Sequence, residues 1–122
     1  MTPFRPADAP AFAADWAAAW NSRDLDRILA HYAEGIVFRS LKAIPLTGAG
    51  EVRGRAALRA YWAAALARQP DLRFEVTSVF AGHDTLVIVY RNHAGVTAAE
   101  TLRFGPTGEV AEASACHPPP AG

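Results

Sequence analysis

The chain has a single cysteine, Cys116, among its 122 residues, so it can form no internal disulfide and is compatible with a reducing compartment. It has a single lysine, Lys42, and no surplus of either charge: 12 Lys and Arg balance 12 Asp and Glu. That balance leaves no electrostatic footprint for nucleic acid or an anionic membrane. No apolar run approaches bilayer length, and the first residues, with Pro3 and Pro6, lack the apolar core of a secretory signal. The expectation is a soluble, cytoplasmic protein. The four histidines do not show metal-ligand spacing and no Cys/His cluster exists, so neither metal nor cofactor is expected. Thr47-Gly48-Ala49-Gly50 lacks the remaining residues of a phosphate-binding loop.

What is present is apolar patterning. Hydrophobic residues make up 51% of the chain, enough for one core in one domain. Residues 1–9 read as a flexible arm and 118–122 as a proline-rich tail, leaving a domain over 10–117. Asp8 can cap a first helix that carries Pro10 in its first turn and ends near Trp20. Phe12, Trp16 and Trp20 recur every fourth residue on one stripe of it. A short second helix is expected over residues 25–33, with Tyr32 inward and Gly35 ending it. A first strand follows over 36–41, with Ile36, Phe38 and Ser40 sharing a face. Residues 45–54 read as a loop over one mouth of the fold. A third helix is expected over 55–68, with Leu58, Tyr61, Trp62, Ala65 and Leu66 on its apolar side and Pro70 after its end. From Leu72 onward the pattern is strand and turn: Leu72, Phe74, Val76, Ser78 and Phe80 alternate with Arg73, Glu75, Thr77 and Val79. Turns at 82–84, 92–95 and 105–108 separate three further strands.

Tight turns make that sheet antiparallel, and helices grouped before it place the chain in the α+β class. Three helices packed on a strongly curved antiparallel (mixed) sheet, as a cone-shaped α+β barrel, bury the aromatic stripes. By parity Thr77, Val79, Val87, Val89, Thr97, Thr101 and Ser114 face outward, a small and mixed surface, and Arg39 and Arg91 also lie outside.

One residue breaks the pattern. In the strand over 96–104, Ala98, Leu102 and Phe104 share a face with Glu100. An ionised carboxylate there costs several kcal/mol unless it is paired, protonated or wet. An apolar pocket raises its pKa, and a carboxyl near neutrality suits proton transfer. A buried glutamate hydrogen-bonded to a tryptophan, a tyrosine or a strand neighbour is the alternative. If Phe104 pairs with Glu109 across the turn, Glu100 lies opposite Ala113, and Ala113, Ala115 and His117 share its face. The two alanines leave room for a ligand, and a neutral His117 could act as a base or polar anchor. Tyr90 and Asn92 point into the same space if the register across residues 92–95 holds. His31, His83 and His93 read as solvated, and Cys116 as a small core or edge residue.

The chain resembles the SnoaL-like branch of the nuclear transport factor 2-like superfamily. The resemblance is carried by Trp20-Asn21-Ser22-Arg23-Asp24-Leu25-Asp26, His31-Tyr32-Ala33-Glu34, the run from Gly54 through Tyr61-Trp62, and the hairpin holding Glu100-Thr101-Leu102-Arg103-Phe104 and Gly108-Glu109-Val110. It implies the cone with an apolar pocket, a small hydrophobic or polyketide-like ligand, and a homodimer through the outer sheet face. In the ketosteroid isomerase branch, an aspartate near the end of the first strand is the general base, and the matching position here is Ser40. The oxyanion-binding tyrosine of the first helix matches Trp16, and its supporting tyrosine matches Trp62. The carboxylic acid held neutral matches Glu100. With three of these positions changed, the resemblance does not imply steroid isomerisation. SnoaL-type cyclases place an acid, usually aspartate, at the position of Glu100 as the general acid/base of an aldol closure. The resemblance therefore implies Glu100 as a catalytic candidate, and the strand register adds His117 as the second. Their pocket would be lined by Trp16, Tyr32, Phe38, Ser40, Trp62, Phe74, Tyr90, Leu102, Ala113 and Ala115. A non-catalytic binding domain, or a dimeric interaction module whose cavity its own side chains fill, is the alternative.

Overall fold

The computed structural model describes residues 2–120; residue 1 of the arm and residues 121–122 of the tail lie outside it. Helix α1 (Ala9–Ser22) buries Ala9, Ala13, Trp16, Ala17 and Trp20 along one face, the spacing of an amphipathic stripe. Asp8 does not cap it; the residue closes a 3-10 turn (Pro6–Asp8) and pairs with Arg5. Arg23, in the left-handed region at φ 62°, ends α1. Its guanidinium donates to the carbonyls of Leu66 at 2.6 Å and Gln69 at 3.0 Å, adding a second donor to each and tying the end of α1 to that segment. Asp24 caps α2 (Leu25–Leu29) by accepting from the N–H groups of Asp26 and Arg27.

The second helix is shorter than expected, and Tyr32 is not on it. Strand β1 (Tyr32–Arg39) begins there instead, pairing Tyr32 with Val110 of β6 (Val110–Cys116). The pairing then shifts between Tyr32 and Val37, so residues 33–35 form an irregular step inside the strand. Gly35 sits in that step, which is why it read as a helix end. The segment expected as a loop holds a short helix, α3 (Ile44–Thr47), and strand β2 (Glu51–Arg53), antiparallel to β1. Helix α4 (Arg55–Arg68) has the expected bounds and buries Leu58, Tyr61, Trp62 and Leu66.

Strands β3 (Phe74–Gly82), β4 (Thr85–Asn92), β5 (Thr97–Phe104) and β6 complete one six-stranded sheet in the order β2-β1-β6-β5-β4-β3. Only the β1–β6 pair is parallel, so the sheet is mixed. A bulge between Val76 and Ser78 inverts the parity of β3. Val79 therefore packs against the core and Phe80 stands 63% exposed, the reverse of the alternation read from the sequence. The four helices cover the inner face, where Tyr32, Ile36, Leu86, Ile88, Leu102 and Val110 are fully buried. Each such aliphatic side chain contributes about 1.5–3 kcal/mol.

The outer face is more charged than its parity list suggested. Arg53, Glu51, Arg39, Glu112 and Arg103 form an alternating ladder over β2, β1, β6 and β5. Within it Arg39 approaches Glu112 to 3.6 Å, and Arg103 meets Glu112 at 2.6 Å. At one end of the cone Phe4 of the N-terminal arm stacks on Phe104 at 4.1 Å, with Phe12 edge-on to the same ring at 5.1 Å.

Candidate functional site

The opposite end of the inner face holds a cavity. Its free core is about 80 Å³, within a funnel of about 600 Å³ that includes the open mouth. Each wall is set by a local device. The side-chain amide of Asn21 clamps the start of β3 by donating to the Phe74 carbonyl at 2.9 Å and accepting its N–H at 2.8 Å. That fixes the Phe74 ring against Tyr90 (4.5 Å), Trp16 (5.4 Å) and Trp20 (5.6 Å). Trp62 of α4 packs edge-on to Trp20, Tyr32 and Phe38, with ring centres 4.8–5.3 Å away. These tilted and edge-on contacts hold the rings in fixed orientations.

Glu100 lies in the floor. It is 4% exposed and sits on β5 between Ile88 of β4 and Ala115 of β6. The Tyr32 hydroxyl donates to Glu100 Oε2 across a long 3.5 Å. The Trp16 indole N–H lies on the same side and favours the charged carboxyl, but it stands outside hydrogen-bond geometry and is left without a partner. No cation lies within ion-pair distance among the described residues. Burial outweighs the two donors and pushes the carboxyl up from its ordinary 4.5 to about 7. The same desolvation, reinforced by the Glu100 charge, holds Tyr32 and Tyr90 well above the ordinary phenol value, so both stay protonated donors.

Eight of the twelve residues singled out from the sequence line the cavity: Glu100, His117, Phe38, Ser40, Trp62, Phe74, Tyr90 and Ala115. Asn92 does so as well. Trp16 and Tyr32 do not; they are fully buried behind Glu100 and form its rear wall. Leu102 and Ala113 also lie outside the lining, paired with each other one step deeper along the sheet. Glu100 is opposite Ala115, not Ala113. The turn takes one residue more than expected, pairing Phe104 with Val110, and a bulge before Glu112 takes another. A shift of two residues preserves parity, so His117 still shares the Glu100 face. Burial and the Lys42 charge lower the His117 pKa, leaving a neutral imidazole at the mouth.

Sequence reasoning missed Lys42 and Gln69 in the lining and assigned Trp20, Tyr61, Ala65, Leu72 and Ala98 to helix or strand faces only. His31 is not solvated: it lies under α1 against Phe12 at 4.8 Å, with Asp15 Oδ2 2.9 Å from its Nε2. Cys116 is exposed. Among the described residues no group of three His, Cys, Asp or Glu side chains could hold a metal. Among the described residues no helix is long and apolar enough to cross a membrane.

Residues 13–117 match the SnoaL-like domain family. The chain belongs to that family. A SnoaL-like protein of unknown function from Burkholderia thailandensis is 40% identical, with a TM-score of 0.89 over 96% of this chain and 100% of its own. AclR from Streptomyces galilaeus, provisionally named a hydroxylase, is 26% identical, with a TM-score of 0.72 over 93% of this chain and 91% of its own. A provisionally named polyketide cyclase from Sinorhizobium meliloti shares the fold at 18% identity, with a TM-score of 0.72 over 92% of this chain and 99% of its own. No curated protein matches the sequence.

Proposed function

We propose that this SnoaL-like protein binds a flat apolar carbonyl or polyketide-like molecule in the cavity and moves a proton on it, with Glu100 as acid and base. The observation that carries the reading is the Glu100 carboxyl, buried in the cavity floor, unpaired with any cation and poised at about 7. At neutral pH such a group is present in both forms. The carboxylate can take the proton from the carbon beside a carbonyl, and the acid so formed can return it to another atom of the same molecule. Tyr90 and Tyr61 in the walls are protonated donors for the oxygen on which charge develops. His117 at the mouth is the second group able to carry a proton. Ser40, at the position of the isomerase base, cannot take a carbon-bound proton; its hydroxyl accepts the Lys42 backbone N–H.

The test is a screen of aromatic and polyketide-like carbonyl compounds for binding and turnover. Glu100→Gln should leave the affinity within about threefold and lower turnover by at least about 100-fold. Unchanged turnover in that variant would overturn the acid/base role. The small free core of about 80 Å³, below the roughly 300–1,000 Å³ of ligand pockets, favours a second reading, a dimeric interaction module whose own side chains fill the cavity, for which no compound in the screen binds. The proposal includes a homodimer through the outer sheet face, where Phe80 is exposed; a solution mass of 13.0 kDa, that of one chain, would exclude it.

A further inference from the structure

We infer that Lys42 and His117 form an anion-holding rim, so that the ligand is amphipathic: a flat apolar body with a carboxylate or enolate-type oxygen at its outer end. This rests on the reading of the cavity as a ligand site and narrows the class of ligand it takes.

Lys42 is the one lysine among twelve basic residues, and it lies in the cavity lining. The basic side chains of β1, β2 and α4 that lie near carboxylates are spoken for: Arg39, Arg53, Arg55 and Arg59 all make ion pairs. Lys42 makes none among the described residues. Its backbone is pinned nonetheless. Ser40 Oγ accepts the Lys42 N–H at 3.2 Å, the Ser40 carbonyl accepts the Ala43 N–H at 3.1 Å, and Ala43 is fully buried. The turn therefore holds the base of the lysine in place while its exposed side chain keeps rotational freedom.

The rest of the lining is rich in hydrogen-bond donors. Glu100 is the only carboxyl in it, and that group lies in the floor. His117, Ser40, Tyr61, Gln69 and Asn92 can all donate. Trp20 adds a separate observation: it lines the cavity, and its buried indole N–H has no partner. A buried donor without an acceptor is unfavourable, so a ligand oxygen that reached it would remove that penalty. Lys42 and the neutral imidazole of His117 line the same cavity, one as a charge and the other as a hydrogen-bond donor. An anion between them would satisfy both.

The test compares 2-naphthoate with 2-acetonaphthone, which differ in charge but hardly in shape, by calorimetric titration against the wild type, Lys42→Gln and Lys42→Arg. The wild type should bind the naphthoate about tenfold tighter than the ketone. Lys42→Gln should lose about that factor for the naphthoate, leave the ketone within about twofold, and regain the difference in Lys42→Arg. Equal binding of the two probes by the wild type, or a naphthoate-to-ketone ratio unchanged in Lys42→Gln, would overturn the anionic rim and leave the cavity reading standing. If neither probe binds the wild type, the cavity reading and the rim fall together.

Discussion

Glu100 and Glu112 lie on neighbouring strands of one sheet and titrate in opposite directions. Glu112 faces outward, meets Arg103 at 2.6 Å and Arg39 at 3.6 Å, and its pKa is held below the ordinary carboxyl range by Arg103 first and Arg39 second. Glu100 faces inward, meets no cation, and is pushed up to about 7 by burial. Backbone and side-chain chemistry are the same in both cases. The difference is the solvent each replaces: water and guanidinium outside, aromatic rings and one long tyrosine contact inside. On the outer face a carboxylate is part of a surface ladder, of the kind that contributes little to stability. On the inner face it is a liability that only a cavity, a proton or a ligand relieves.

The comparison is broken most severely by opening the wall behind Glu100. Trp16→Ala should destabilise the fold by about 3–5 kcal/mol in urea denaturation. By letting water reach the carboxyl it should also bring the Glu100 pKa back toward 4.5.

A second effect appears as pH dependence. Unfolded, Glu100 ionises near 4.5; folded, near 7. Below 4.5 both states hold the proton and the group takes nothing from stability. Between the two values the unfolded chain gives up its proton first, so stability falls as pH rises, and above 7 the loss is complete. It amounts to about 3 kcal/mol. Glu100→Gln lacks the titration, so its stability measured against wild type should gain by about that amount between pH 4 and 8.

Ala115→Leu sharpens the contrast by filling the space opposite Glu100. It should cost about 1–3 kcal/mol from overpacking, and abolish the binding of flat aromatic probes. The smallest effect is at Glu112. Its pKa is lowered, so its contribution is present above 4.5 and is lost as pH falls. Glu112→Gln should change stability only slightly, and less still in 1 M salt, as unfolding curves at two ionic strengths will show.

The inner carboxyl was legible before any coordinates, and for a plain reason. Alternation on β5 is uninterrupted, so the parity of Glu100 with Ala98, Leu102 and Phe104 could be read directly, and α4 was equally plain between Gly54 and Pro70. What failed was everything that depends on a bulge. One extra residue near Thr77 exchanged Val79 and Phe80, and two extra residues past Phe104 moved Glu100 from Ala113 to Ala115. Bulges leave no composition signal of their own. Tyr32 was misplaced because an irregular step with a glycine looks like a helix terminus in sequence. Lys42 was missed because a single residue after a strand has no period to betray its direction; only the Ser40-capped turn aims it at the mouth.

The most direct measurement is an NMR titration of the Glu100 side-chain carboxyl in the ligand-free protein, assigned by difference against Glu100→Gln. An apparent pKa of about 7 is what the buried, cation-free floor requires. A value near the ordinary 4.5 would mean that water or a partner reaches Glu100, and would contradict both the contrast with Glu112 and the acid/base role built on it.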